Sequence, residues 1–326
     1  MSDYAHGAGG VALPSRRALL FVPAHRERYV AGAARAGADG AVLDLEDSVP
    51  ESEKPAARAA LPADLAALAG VSLVIVRVNA GDDLEADLTA CRDAGVTEVL
   101  LPKVDDTRDI ATFDALCERL GYRPDLSVLV ESSKGQRHLD DILARPGITT
   151  VALGVEDLRA EIELHAPRRT QTSSTIVAAM GDLVLAAFAH GVTPLGIAGS
   201  IAELRDEELF ARGARAAFAM GMRGSYCIHP RQVPHLLREF SPSPADRDWA
   251  RRVLAAGEEA ARAGRGAFVV DNAMVDAPLV DRARRILAVP ATRPDLANPA
   301  DATPLASAAT DALSLAPAAT SERNPL

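Results

Sequence analysis

"VLDLEDSV", residues 42–49, is an apolar, strand-like segment that nevertheless carries three acidic side chains, Asp44, Glu46 and Asp47. Carboxylates in such a segment are costly to bury unless they are paired or bind a metal ion. Side chains alternate in direction along a strand, so we expect Asp44 and Glu46 on one face and Asp47 at the start of a loop. The segment therefore predicts a buried strand whose carboxyl end carries functional polar groups.

Further apolar runs of similar length occur along the chain, and stretches with helical periodicity, rich in Ala, Leu, Arg and Glu, lie between them. Apolar strands that alternate with helices pair in parallel, and about 250 residues of this pattern is usual for a (β/α)8 barrel. The alternative is a doubly wound open sheet, which normally has a Gly-rich turn after its first strand. "FVPAHRER", residues 21–28, is not such a turn, so the pattern favours the barrel. The predicted strands are Ala18–Val22, Ala41–Leu45, Leu73–Val78, Glu98–Pro102, Ser127–Glu131, Thr150–Leu153, Pro194–Ala198 and Gly224–His229.

The 326 residues divide into four predicted parts. Residues 15–240 form the barrel, and residues 241–289 form an appendage with a long helix, a short hairpin or loop and a last helix. The first 14 residues and the tail at 290–326, which is rich in Pro, Ala, Ser and Thr, are predicted to be disordered.

Composition excludes several classes of protein. The net charge is −10 and no basic stripe is present, which argues against a nucleic-acid partner. There is no apolar run of membrane-spanning length, and the three cysteines lack metal-site spacing. These features predict a cytoplasmic protein that acts on a small molecule.

Charged residues gather at the carboxyl ends of the predicted strands, where barrels of this type build their active sites. Glu131 ends the fifth strand, and the sixth runs into Asp157. Two carboxylates without a neighbouring His or Cys favour Mg²⁺ over Zn²⁺. The alternatives are a salt bridge for Glu131 and a helix N-cap for Asp157.

Four further polar residues are candidates for this site. Arg77, inside the apolar segment "VRVN", is expected either to grip a substrate carboxylate or to pair with the acids of the second strand. We expect Glu46 and Asp47 to organise metal-bound water and basic neighbours, with loop capping as the alternative. His229 is either a substrate contact or simply a strand-end residue.

The combined motifs resemble the citrate lyase β-subunit-like family, within the HpcH/HpaI aldolases and malyl-CoA lyases. The likeness runs from about Arg16 to Leu287. In chain order, the segments that carry it are "RRALLFVPAHRER", "GADGAVLDLEDSVPESEKPAARAAL", "VIVRVNA", "VLLPKVD", "VLVESSKG", "LGVEDL" and "GSYCIHPRQV".

The resemblance implies a TIM barrel of the phosphoenolpyruvate/pyruvate type that assembles as a trimer or hexamer. It implies that Glu131 and Asp157 hold Mg²⁺, with Glu131 also facing the substrate, and that Arg77 grips the carboxylate of a keto acid. In the malyl-CoA lyase-like branch an aspartate acts as acid/base in the adjacent subunit's site. "AMVDAP" places Asp276 at that position.

The implied reaction is aldol-type cleavage or condensation of a 3-hydroxyacyl-CoA, such as a citryl-, malyl- or citramalyl-CoA-like thioester. The resemblance also assigns substrate contacts to Arg28, Ile228 and His229. Gly32 and Ser225, however, replace lysines that acyl-CoA-using relatives carry. A thioesterase on the same site and an aldolase for free hydroxy-keto acids are therefore alternatives, and a non-catalytic barrel subunit is a third.

Overall fold

The computed structural model of the protein describes residues 15–163 and 173–290. Parallel strands form one eight-stranded sheet in which each strand neighbours those next to it in sequence, and the eighth pairs with the first. The strands are β1 (Ala18–Pro23), β2 (Gly40–Asp44), β3 (Val74–Arg77), β4 (Glu98–Leu101), β5 (Asp125–Val130), β6 (Ile148–Leu153), β7 (Thr193–Leu195) and β8 (Ser225–Cys227).

Helices connect the strands and surround the sheet. They are α1 (Glu27–Ala33), α2 (Lys54–Ala67), α3 (Leu84–Ala94), α4 (Thr107–Leu120), α5 (Ser133–Arg137), α6 (Leu139–Leu143), α7 (Val155–Ile162), α8 (Ser174–His190), α9 (Glu207–Met220) and α10 (Gln232–Glu239). The apolar faces of these helices pack on the outward-facing side chains of the strands, and this layer is the main core. The fold is thus the predicted (β/α)8 barrel.

Two backbone hydrogen bonds bring β7 and β8 together and close the barrel. The Gly196 N–H donates to the Gly224 carbonyl, and the Arg223 N–H donates to the Pro194 carbonyl, each at 2.9 Å. Gly224 is required at this closure, because a Cβ atom there would lie 1.8 Å from the Arg16 carbonyl oxygen.

A layer of inward-facing side chains fills the barrel below its carboxyl end. Strands alternate their side chains between the barrel interior and the helix layer, so one inward position from each strand contributes. The layer includes Leu19, Val42, Ile75, Leu100, Leu129, Ala152, Leu195 and Tyr226. This layer forms an apolar floor beneath the side chains at the carboxyl ends of the strands.

Two strands end more than one residue earlier than the sequence predicted. β8 ends at Cys227, because the backbone N–H groups of Ile228 and His229 donate to the Gln232 side chain instead of extending the ladder. β7 ends at Leu195, where the Gly196 N–H turns to the barrel closure. The predicted strand ends at His229 and Ala198 were therefore too long.

The appendage comprises α11 (Pro244–Arg262), a hairpin of β9 (Phe268–Val270) and β10 (Ala273–Val275), and α12 (Ala277–Ala288). It has a small apolar core of its own. The predicted disordered segment 1–14 lies outside the described residues, as does the predicted tail beyond residue 290. Among the described helices, none combines the length and apolar character needed to cross a membrane.

Candidate metal and substrate site

Three charged side chains meet inside the carboxyl end of the barrel because they continue the inward-facing positions of their strands. Asp44, Arg77 and Glu131 each follow a residue of the apolar floor by two positions, and this spacing returns the side chain to the same face. The register of β2 with β3 also pairs Asp44 directly with Arg77. The structure therefore brings together side chains from three of the strand ends singled out in the sequence.

Asp44 and Arg77 form a buried, two-pronged ion pair. The Arg77 Nε and Nη2 groups donate to the two oxygens of Asp44 at 2.7 and 2.6 Å. Burial alone would raise the pKa of Asp44, but the hydrogen bonds and charge of Arg77 outweigh it and lower that pKa. Burial acts against the charge of Arg77 too, and the bonds to Asp44 raise its pKa despite this. Both groups are therefore charged at neutral pH.

The third nitrogen of the Arg77 guanidinium, Nη1, contacts Glu46 and Asp47, the other two acids of residues 44–47. This atom lies 3.2 Å from Asp47 Oδ2 as a hydrogen bond, and 2.9 Å from Glu46 Oε2. The second contact is an ion pair only, since Glu46 Oε2 has no hydrogen-bond partner. The Phe21 ring lies 4.8 Å from the guanidinium carbon. Arg77 thus pairs with the acids of the second strand, which was one of its two expected roles.

Glu131 has a buried oxygen without a partner. Its Oε2 atom accepts no hydrogen bond, and within the described ranges Glu131 forms no ion pair. Burial first, and then the nearby charges of Asp157 and Glu46, raise the pKa of Glu131 to about 7. The charge of Arg77 acts in the opposite direction but does not offset these effects, and no cation of the described residues forms an ion pair with this carboxylate.

Asp157 lies close to Glu131 but on a different kind of element from the one predicted. It stands in the first turn of α7 and not at the end of a strand, and Gly154, not Asp157, is the N-cap residue. Gly154 lets the helix approach, because a Cβ atom there would lie 2.6 Å from Glu131 Cγ. The Asp157 side chain is exposed to the cavity, whereas Glu131 is buried.

Two carboxylates with an unpartnered buried oxygen fit a divalent cation that prefers oxygen ligands. Mg²⁺ is usually bound through one or two protein carboxylates, with water and substrate oxygens completing its coordination. In the part of the chain described, no group of three or more His, Cys, Asp or Glu side chains is arranged to hold a metal. A site that encloses the ion with protein ligands alone is therefore not present there.

A cavity of about 1110 Å³ opens above the apolar floor and contains this cluster. Seven of the nine site residues predicted from the sequence line it: Arg28, Asp47, Arg77, Glu131, Asp157, Ile228 and His229. Glu46 does not line it and instead contacts Arg77 and Lys103. Asp276 does not line it either, and lies on the appendage as the N-cap residue of α12.

Two arginines that the sequence analysis did not single out also line the cavity. Arg35 lies two residues beyond the end of α1, and Arg205 lies in the loop before α9; both are exposed. Arg35 follows Arg28 by seven positions, but it lies beyond the end of α1, so helical spacing does not relate the two. Gly32 lies between them with open space where a side chain would start. Three exposed arginines, Arg28, Arg35 and Arg205, therefore line the cavity although the expected lysine is missing.

His229 is half-buried at the cavity edge and has the contacts of a strand-end residue. Its Nδ1 atom accepts a hydrogen bond from the Arg231 backbone N–H at 3.1 Å. Burial first, and then the charge of Arg231, lower the pKa of His229, so its ring is neutral at pH 7. It is suited to contact a substrate but not to supply a positive charge.

Comparison with known proteins decides the family. The sequence model of the HpcH/HpaI aldolase/citrate lyase family matches residues 17–230. The chain belongs to this family. The match spans β1 to the turn after β8, and so covers all eight strands of the barrel and all the cavity residues described above.

Relatives within the HpcH/HpaI family carry different activities in their names. A (3S)-malyl-CoA thioesterase from Cereibacter sphaeroides is 36% identical over 279 residues, covering 83% of this chain and 93% of the relative. The mitochondrial citramalyl-CoA lyase of Rattus norvegicus is 31% identical over 292 residues, covering 83% of this chain and 85% of the relative. Membership of the HpcH/HpaI family therefore does not separate a lyase from a thioesterase.

A crystal structure of a family member shows which ligands one such barrel binds. CitE from Mycobacterium tuberculosis in complex with magnesium, acetoacetate and coenzyme A has a TM-score of 0.67 and 33% sequence identity. The comparison covers 84% of this chain and 97% of that one. The similarity extends over nearly the whole CitE chain.

Proposed function

We propose that this protein is a magnesium-dependent carbon–carbon lyase that cleaves or forms a 3-hydroxyacyl-CoA of the citryl-, malyl- or citramalyl-CoA type. The observation that carries the proposal is the buried, unpartnered Oε2 atom of Glu131, beside Asp157 and in the same cavity as Arg77. The named activity of the rat relative and the magnesium, acetoacetate and coenzyme A of the mycobacterial structure support it.

In this proposal, Glu131 and Asp157 hold Mg²⁺, and waters and substrate oxygens complete its coordination. When bound, the ion supplies Lewis-acid stabilisation of negative charge on the substrate oxygen. Arg77 binds the carboxylate of the keto acid through its Nη1 end, since Asp44 occupies its Nε and Nη2 groups.

Asp276 is the proposed acid/base and acts in the cavity of an adjacent subunit. In the cleavage direction the hydroxyl O–H bond and the bond between the hydroxyl-bearing carbon and the thioester α-carbon break, the C=O of the keto acid forms, and the released proton passes to Asp276, which delivers it to the α-carbon. In the condensation direction Asp276 removes that proton. Its place on the appendage, away from its own cavity, is consistent with a trimer or hexamer.

Thioester hydrolysis is the second candidate function, because the Cereibacter sphaeroides relative is named as a thioesterase. One assay separates the candidates: purified protein with Mg²⁺ and a panel of CoA thioesters. A lyase releases keto acid together with a shortened acyl-CoA, whereas a thioesterase releases free CoA without keto acid. Turnover of free hydroxy-keto acids alone would indicate an aldolase. No turnover with any of these substrates would contradict the proposal.

The substitution Asp276→Ala should reduce kcat by about 100-fold or more, the usual contribution of a general acid–base group. The KM should change by less than about threefold, because Asp276 acts on the proton and not on substrate affinity. Asp281→Ala is a matched control, since Asp281 lies on the same helix and its side chain is exposed. A rise in KM with an unchanged kcat would make Asp276 a contact residue only.

The double substitution Arg28→Gln and Arg35→Gln should raise the KM for a CoA thioester by about tenfold, because two positive charges that face the CoA phosphates are lost. The effect should shrink as salt concentration rises. The KM for the keto acid in the condensation direction should not change. Arg262→Gln with Arg265→Gln removes the same charge outside the cavity and is the control. An equal KM increase in the control would exclude a specific phosphate contact.

A further inference from the structure

Lys103 has an unusual backbone conformation at the carboxyl end of β4. Its φ angle is +56°, in the left-handed region that residues other than glycine rarely adopt. Such conformations persist where surrounding contacts hold them, and they cluster at functional sites. Lys103 neither lines the cavity nor belongs to the residues assigned above to metal, substrate or proton transfer.

The Lys103 ammonium contacts the same two acids that meet the outer end of Arg77. Its Nζ atom lies 2.5 Å from Glu46 Oε1 and 3.6 Å from Asp47 Oδ1. Arg77 Nη1 lies 2.9 Å from Glu46 Oε2 and 3.2 Å from Asp47 Oδ2. Each acid thus bridges one arginine and one lysine, with a different oxygen toward each cation.

The two bridging acids differ in their freedom to move. The Glu46 side chain is 7% exposed and the Asp47 side chain is 60% exposed. Asp47 is also the acid that makes a true hydrogen bond to Nη1, the end of Arg77 left after Asp44 has taken Nε and Nη2. A substrate carboxylate that approaches Nη1 therefore meets Asp47 already in place, and like charges repel.

We propose that Lys103 is a positioning residue that takes Asp47 from Arg77 when a substrate carboxylate binds, while it keeps Glu46 fixed. This inference rests on the proposed function, since it requires Arg77 to bind a carboxylate. The ammonium already touches the far oxygen of Asp47, so a small rotation of this exposed side chain transfers it from one cation to the other. Lys103 thus releases the Nη1 hydrogen bond that Asp47 accepts, without leaving Asp47 unpaired beside the incoming anion, while Glu46 stays in its ion pair with Nη1.

The test measures pyruvate binding in the presence of Mg²⁺ by calorimetry, for Lys103→Met, Asp47→Asn and the double variant. Lys103→Met should weaken pyruvate binding about five- to tenfold, because Asp47 then stays on Arg77. Adding Asp47→Asn to Lys103→Met should restore pyruvate affinity to within about threefold of that of the Asp47→Asn single variant, since no charge remains to be displaced. A lysine that only supports the fold would not be rescued in this way.

Steady-state kinetics give a second measurement. Lys103→Met should raise the KM for the keto acid about five- to tenfold, with kcat within about threefold of that of the unmodified protein. Lys103→Arg should bring this KM most of the way back. Lys134→Met is the matched control, because Lys134 is similarly exposed and pairs with Asp106. Unchanged pyruvate affinity in Lys103→Met, or an equal loss with and without Asp47, would overturn the inference. If the unmodified protein does not bind pyruvate with Mg²⁺, the proposed function fails first and the inference fails with it.

Discussion

Glu131→Gln should abolish magnesium-dependent turnover and yet make the metal-free protein more stable at neutral pH. Activity should fall on the order of a thousandfold or more, the scale associated with losing a central electrostatic contact. Mg²⁺ raises the melting temperature of a protein only if it binds the folded state. The unmodified protein should show that shift, and Glu131→Gln should not. Calorimetric melting with and without Mg²⁺ is the measurement.

The stability gain follows from the raised pKa of Glu131. In the folded protein this pKa is about 7, against a usual value of 4.5, and burial is the main cause. Between these values the folded state binds more protons than the unfolded state, so the free energy of unfolding falls as pH rises through that window. Glutamine carries no charge to bury. Above pH 7 the free energy of unfolding of the metal-free variant should therefore exceed that of the metal-free unmodified protein by up to about 3 kcal/mol.

Chemical unfolding at pH 5 and pH 8, with a chelator present, tests this pH dependence. The difference between Glu131→Gln and the unmodified protein should be small at pH 5 and largest at pH 8. Glu118→Gln, at an exposed position on α4, should show neither the gain nor any loss of the magnesium effect. If Mg²⁺ still stabilises Glu131→Gln fully, Glu131 is not a metal ligand.

The strand residues of this site could be predicted from the two-residue repeat of strand side chains, whereas its helix and loop residues could not. Glu131 and Arg77 could be predicted because strand side chains repeat every two residues, and each continues an apolar, inward-facing series. Asp157 was recognised as a partner of Glu131, but its place in a helical turn was not. Arg205 and Lys103 lie in loops, where no period relates a residue to the cavity or to its contacts. Such contacts depend on three-dimensional packing alone.

The exact ends of the strands could also not be predicted from sequence periodicity. The sequence places all eight strands, since each is an apolar run between helices, but it extends the eighth to His229. The side chain of Gln232, three residues later, takes the backbone N–H groups that would otherwise continue the ladder. A side-chain cap of this kind has no hydrophobic signature. It also frees Ile228 and His229 from the sheet and leaves them at the cavity edge.

Arg77→Met should destabilise the folded protein by about 3–5 kcal/mol, because it leaves Asp44 as a buried charge without its partner. Arg77 lowers the pKa of Asp44 against the effect of burial, so the pair stabilises the protein above the usual pKa of 3.8 and this contribution is lost as pH falls. Without Arg77, burial raises the pKa of Asp44, so the unpaired carboxylate takes up a proton as pH falls, and the defect of Arg77→Met should be largest at neutral pH and smaller near pH 4. Urea unfolding across that range measures it.

The double variant Asp44→Asn with Arg77→Met separates folding from binding. Asparagine has no charge to leave unpaired, so the double variant should recover a large part of the stability lost in Arg77→Met. Pyruvate binding with Mg²⁺ should stay undetectable in both variants, because neither has a guanidinium to receive the carboxylate. If the double variant folds and binds pyruvate normally, Arg77 serves only to pair Asp44. Loss of binding in a well-folded double variant means that the same side chain both holds the second strand in place and recognises the substrate.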